Sequence, residues 1–318
     1  MKVYIGMNFV KACRVTFVIM LLFGAQETFS GPLLDSIIER SVLGEDEPSS
    51  GTVSLPKGVR LLRDIPYGND AKQIMDVYAP LNATHAPVVF MVHGGAWRTG
   101  DKSMRTVVEN KVARWTPKGI IFISVNYRLL PKADPLQQTE DVAHALAFAQ
   151  AKAASWGGDP SRFILMGHSA GAHIVDLLAS APSKAFVLGA QPWLGTVSLD
   201  SAAMDVVQIM ESKHYRLYDK AFGSNAAFWR STSPFHVLEA GAAPILAVCS
   251  TKRPDKPCLQ ANGFAKKAAS LGIRVNVLEQ KMTHKQINAE LGMPGGYTES
   301  VETFMMTLDD SLAKALTK

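Results

Sequence analysis

From Val59 onward the chain alternates short, nearly continuous apolar runs with longer stretches whose apolar residues recur at helical spacing. The runs at 88–92, 120–125, 163–166, 245–248 and 273–278 are rich in Val, Ile and Phe. That composition suits parallel strands covered on both faces. Between them, 139–153 repeats Val142, Leu146 and Ala149 on one helical face, and 258–271 ends at Gly272, a fitting C-terminal stop. Segments 60–65 and 73–78 read as an antiparallel opening pair. The alternation predicts an α/β fold with a mostly parallel central sheet flanked by helices. No internal repeat is visible.

Two regions depart from this rhythm. Residues 190–240 are rich in aromatics and Met, including Trp193, Met204, Met210, Tyr215, Tyr218, Phe222, Phe228 and Trp229. They predict a small helical insertion, either a cap over a site or helices packed at a sheet edge. Residues 31–55 contain Gly-Glu-Asp-Glu-Pro-Ser-Ser-Gly at 44–51, which has turn formers and no core-forming period, so they predict a linker or a loosely attached arm. One domain is expected over 56–318.

The N-terminus adds a targeting expectation. Lys2, Lys11 and Arg14 precede the apolar run 15–23, followed by small and polar residues up to Ser30. This is the layout of a secretory signal over 1–30, and the run falls short of the roughly 20 residues that span a bilayer. An exported, periplasmic or secreted chain follows, with a retained N-terminal anchor as the alternative and no stable membrane span in the mature chain. Export would remove Cys13 and leave Cys249 and Cys258 as an even pair, which an oxidising compartment favours joining.

Composition narrows the function classes. The apolar fraction of 47% and charged fraction of 19% fit a sizeable core. The net charge of +5 is modest and forms no basic stripe, which argues against nucleic acid as a partner. No clustered Cys/His pattern suggests a metal, and no cofactor is expected. Nothing in the sequence specifies an oligomeric state.

The chemistry-bearing pattern is Gly167-His168-Ser169-Ala170-Gly171, set between the strand 163–166 and a helical run beginning at Ala172. A nucleophile elbow needs this context, because a sharp strand-to-helix turn tolerates only small neighbours and lifts the Ser hydroxyl above the sheet. Ser169 is therefore the expected nucleophile. Its base should lie C-terminal to it, after a late strand, and His284 alone meets that position; His173 is expected to pack or orient neighbours. The acid is expected after the preceding strand, where Asp255 is the single carboxylate between Gly241 and Leu278. A Cys249–Cys258 bond would then hold Asp255 against His284. Oxyanion donors are expected from Ala170, directly after the nucleophile, and from the loop carrying Gly94, Gly95 and Ala96 in His93-Gly-Gly-Ala-Trp97.

These motifs resemble the α/β-hydrolases that share His-Gly-Gly-x-Trp, among them hormone-sensitive-lipase-like and BD-FAE-like carboxylesterases and the related formamidases. Supporting stretches are Asp64-Ile-Pro-Tyr-Gly68, Met75-Asp-Val-Tyr-Ala-Pro80, Val125-Asn-Tyr-Arg-Leu129 and Gly157-Gly-Asp-Pro160. The resemblance runs from about Arg60 to the C-terminus. It implies an α/β-hydrolase fold, a Ser169–Asp255–His284 triad, and Gly94, Gly95, Ala96 and Ala170 as oxyanion-hole candidates. Ala96 departs from the frequent third glycine of such loops. The expected activity is hydrolysis of short- to medium-acyl esters, small molecules, through an acyl-enzyme. An aryl-formamidase on the same residues and a non-catalytic binding protein are the alternatives.

Overall fold

A computed structural model describes residues 53–317 apart from Ala202. The expected signal at 1–30 and most of the expected arm at 31–55 lie outside the described residues. Eight strands form one sheet in the order β1-β2-β4-β3-β5-β6-β7-β8. They are β1 Val59–Pro66, β2 Ile74–Pro80, β3 Ala86–Val92, β4 Ile121–Val125, β5 Gly158–His168, β6 Gly195–Leu199, β7 Ile245–Ser250 and β8 Val275–Gln280. β2 runs antiparallel to both β1 and β4, and every later pairing is parallel. The predicted opening pair and all five predicted runs are strands; β6 is an addition inside the region read as an insertion.

The near-continuous apolar strands are buried on both faces because helices cover each side. Alternate residues of β3 illustrate the division. Val88, Phe90 and Val92 join one cluster with Val142, Leu146 and Ala149 of α2 (Pro135–Trp156) and Ile174 and Leu178 of α3 (Ala170–Ser180). Val89 and Met91 join another with Val108, Val112 and Trp115 of α1 (Arg105–Trp115) and with Val301 and Met305 further along the chain. α2 starts where Asp134 caps it, its side chain accepting from Leu136 and Gln137, and stops at Gly157 in a left-handed conformation.

Short helices follow. α4 is Pro182–Val187, and between β6 and β7 lie α5 Val206–Met210, α6 Arg216–Phe222, α7 Ala226–Ser231 and α8 Pro234–Val237. The sequence pattern at 190–240 thus resolves into one buried strand and four short helices. α9 (Pro257–Ser270) precedes β8, and α10 His284–Ala289, α11 Gly296–Met306 and α12 Asp310–Leu316 close the fold. Among the described residues no helix is long and apolar enough to cross a membrane.

Candidate active site

The C-terminal ends of β3, β5, β6 and β7 converge, and chemistry-bearing residues follow each of them. β5 ends at His168, and Ser169 turns the chain into α3 with φ +56° and ψ −118°. A non-glycine residue there stores strain of about 1–3 kcal/mol, which the surroundings must enforce. They do so through close packing at glycines. A Cβ on Gly171 would stand 2.3 Å from the Val92 carbonyl oxygen, and one on Gly167 would stand 2.3 Å from that of Gly171. The Ser169 amide donates to the Leu199 carbonyl at 3.0 Å, tying the turn to the end of β6. Ser169 is partly exposed between the buried His168 and Ala170.

The His93–Trp97 loop lies against this turn, with φ of +121° at Gly95, +50° at Ala96 and +60° at Trp97. Gly94 permits the approach, since a Cβ on it would meet His168 O and Ser169 Cβ at 2.9 Å. Two buried histidines hold the loop. His93 stacks on Tyr127 with ring centroids 4.6 Å apart, and His173 Nδ1 accepts from Trp97 Nε1 at 3.2 Å while its Nε2 donates to the Thr232 carbonyl at 2.7 Å. Burial pulls His173 down to about 4, so it stays neutral and can act as both acceptor and donor. Ala96, Trp97, Ser169 and Ala170 line a narrow cavity of about 20 Å³ together with Ala203, Leu217 and Tyr218. Of the four expected oxyanion donors, Ala96 and Ala170 border this cavity. The first-turn amides of a helix such as α3 have no intrahelical acceptor, which leaves Ala170 N–H free for an anion.

His284 opens α10. Thr283 caps that helix reciprocally with Gln286, so the local sequence itself starts the helix at the histidine. Its side chain is buried, and Nδ1 lies 2.6 Å from Asp200 Oδ2. A donating Nδ1–H leaves Nε2 as the unprotonated, basic nitrogen. Behind the ring, His168 packs with centroids 4.4 Å away and its Nε2 donates to the His284 carbonyl at 3.1 Å. Burial, followed by the nearby His284, holds His168 well below the ordinary histidine range. Lys111, buried in α1, bonds Asn288 O at 2.6 Å and fixes α10 from below.

The expected partnership of Asp255 with His284 is corrected. Asp200, at the end of β6, takes that place. Asp255 instead faces Arg253, receiving Nε at 3.0 Å and Nη2 at 2.5 Å. Arg253 is the residue between, with Nη1 donating to the Asp200 carbonyl oxygen at 2.8 Å and to Asp200 Oδ2 at 3.1 Å. Only Pro254 separates Arg253 from Asp255, so the guanidinium folds back onto its own loop carboxylate and turns its remaining edge inward. The Cys249–Cys258 disulfide, with Cα atoms 5.2 Å apart, closes this loop. It pins Arg253, and not Asp255, beside the imidazole.

Asp200 is held by every neighbour. Its φ is +57°, its amide donates to Val248 O at 2.8 Å, and Oδ1 accepts the Ser250 amide at 2.7 Å. Burial alone would raise its carboxyl, but the Arg253 guanidinium and the His284 hydrogen bond hold it well below the usual carboxylate range. The chain order Ser169, Asp200, His284 also satisfies the order expected of the fold, so order alone could not separate Asp200 from Asp255. The usable signal was the strand Gly-Thr-Val-Ser-Leu at 195–199, directly followed by an acid.

A second buried carboxyl lies behind the turn. Asp176 of α3 accepts from Ser198 Oγ at 2.8 Å and is pushed up to about 7 by burial, against the hydrogen bonds from Ser198 and Ser201. Its folded value exceeds its ordinary 3.8, so stability is full below about pH 4, falls as pH rises towards 7, and levels off above. Asp176→Asn is expected to remove that decline, up to about 1.4 kcal/mol per pH unit. Urea midpoints of the two proteins at pH 4, 5.5 and 7 check this, and parallel curves would contradict it.

A doubly covered, mostly parallel sheet, a strained serine turn and a paired imidazole and carboxylate define the α/β-hydrolase fold. The chain belongs to the BD-FAE family, whose model matches residues 75–268. Among curated relatives it is similar to esterase LipQ of Mycobacterium tuberculosis, 28% identical over 64% of this chain and 51% of that protein. It is also similar to the probable carboxylic ester hydrolase LipM of the same organism, 33% identical over 67% of this chain and 55% of that protein. The chain thus spans about half the length of these relatives. Esterase B of Lactobacillus rhamnosis shares the fold with a TM-score of 0.65 and 18% identity, over 89% of this chain and 93% of that one.

Proposed function

We propose that the protein is a serine carboxylesterase acting on short-acyl esters, with Ser169 as nucleophile, His284 as base and Asp200 as the orienting acid. The observation that carries this reading is the 2.6 Å contact of His284 Nδ1 with Asp200 beside the turn that holds the partly exposed Ser169. Ser169 Oγ bonds the acyl carbon as its proton passes to His284 Nε2, and the negative oxygen is met by the Ala170 and Ala96 amides. The imidazolium then gives its proton to the departing alkoxide. Water repeats the sequence on the acyl-enzyme, releasing the acid and restoring the serine.

The names of the curated relatives and the family membership support ester chemistry. The cavity of about 20 Å³, walled by Trp97, Leu217 and Tyr218, supports a small acyl group. The helices between β6 and β7 supply Leu217 and Tyr218 and so act as the cap in this reading. The Cys249–Cys258 bond supports work in an oxidising compartment, in keeping with export.

Labelling with a fluorophosphonate probe and a p-nitrophenyl ester series from two to twelve carbons (about that range, chosen to exceed the cavity) tests the reading. Stoichiometric labelling and kcat/KM falling with acyl length are expected. Folded protein that neither labels nor turns over any ester would sink it.

A further inference from the structure

We propose that the Arg253–Asp255 ion pair is a positioning and charge-balancing element for the base, setting the pH at which His284 ceases to accept a proton. This rests on the serine-esterase reading above. Arg253 is 6% exposed, and its Nη1 lies 3.1 Å from His284 Nδ1. Both nitrogens donate to the same oxygen, Asp200 Oδ2. Their approach is therefore a contact between two donors converging on one acceptor, tolerated because the carboxylate draws both. In most such sites the acid alone faces the imidazole and favours its protonated form. Here a fixed cation shares that acid and opposes the imidazolium.

Asp255 offsets this cation from the other side through Nε and Nη2. With neutral imidazole, Asp200, Asp255 and Arg253 sum to one negative charge. Removing Arg253 leaves two negative charges beside the ring and favours imidazolium. Removing the Asp255 charge leaves none and disfavours it. The two halves of one ion pair therefore act on the base with opposite signs, which loss of shape alone does not produce.

The remaining charged or titratable groups around His284 are constant across the comparison. His168, from the end of β5, is kept neutral by burial. Tyr297 of α11 donates to the Ile287 carbonyl at 2.8 Å, and Tyr218 of α6 is buried; burial pushes both phenols up out of range. Lys111 of α1 stays bound to Asn288, Lys285 shares α10 with the base, and Glu290 caps the far end of that helix.

The test is the pH profile of kcat/KM for p-nitrophenyl acetate from pH 4 to 9. It uses the wild-type protein, Arg253→Met, Asp255→Asn and the double variant. The acid limb is expected to move up by about 1 pH unit in Arg253→Met and down by about 0.5 in Asp255→Asn, with the double variant between. If Arg253→Met does not fold, Asp255→Asn decides alone, because an amide preserves the shape of the carboxylate. A limb that stays in place or moves up in Asp255→Asn overturns the proposal, whatever happens to kcat. A wild-type protein with neither turnover nor fluorophosphonate labelling overturns the esterase reading instead, and this inference with it.

Discussion

Ser169→Ala is expected to lower kcat for p-nitrophenyl acetate by about 10⁶ and to abolish fluorophosphonate labelling, with the fold intact. The size of the effect follows from the absence of a substitute. No other hydroxyl occupies the turn, where φ of +56° and contacts at Gly167 and Gly171 direct one side chain upward. Alanine fits the same space and meets the same backbone strain, so the melting temperature should change little. The oxyanion amides and the cavity remain, which leaves a residual rate of about 10³–10⁴ over water. A variant retaining a tenth of wild-type turnover would remove Ser169 from the reaction.

Asp200→Asn is expected to lower kcat by about 10⁴, whereas Asp255→Asn costs less than about tenfold at the respective pH optima. An amide at position 200 presents either an oxygen or an N–H to His284 Nδ1. With the Ser250 amide and Arg253 Nη1 competing for its one oxygen, the imidazole loses the partner that keeps Nε2 unprotonated. The variant also leaves Arg253 with a single carboxylate in a buried setting, a loss of about 3–5 kcal/mol. Circular dichroism must therefore accompany the kinetics, and kcat is compared on the folded fraction. The reverse ranking, with Asp255→Asn the more damaging, would restore Asp255 as the acid and remove Asp200.

That ranking also separates what could be read along the chain from what could not. The strands and the serine turn were legible because their signals are local: runs of Val, Ile and Phe, and glycines at two fixed offsets from Ser169. His284 was legible because it lies C-terminal to Ser169 and follows a late strand. β6 was hidden because Thr196 and Ser198 interrupt its apolar run. Their polarity is satisfied by partners that only the fold supplies, Trp193 Nε1 at 3.1 Å from Thr196 and Asp176 for Ser198. With the strand unseen, the acid at its end was unseen as well. Asp255 looked suitable because loop position is visible in sequence, while its capture by Arg253 two residues earlier depends on the side-chain path. The disulfide pairing was legible from cysteine count, but which residue it steadies was not.

Ser169 and Asp200, the proposed nucleophile and acid, stand at the ends of adjacent, hydrogen-bonded strands, with His168 in register with Leu199 and the Ser169 amide bound to the Leu199 carbonyl. Their separation is thus set by the spacing between neighbouring strands, about 4.8 Å, and owes little to any loop. Under the proposed roles the 250–257 segment does not carry the acid itself, so substitutions there are expected to change the charge beside His284 while Ser169, Asp200 and His284 keep their places.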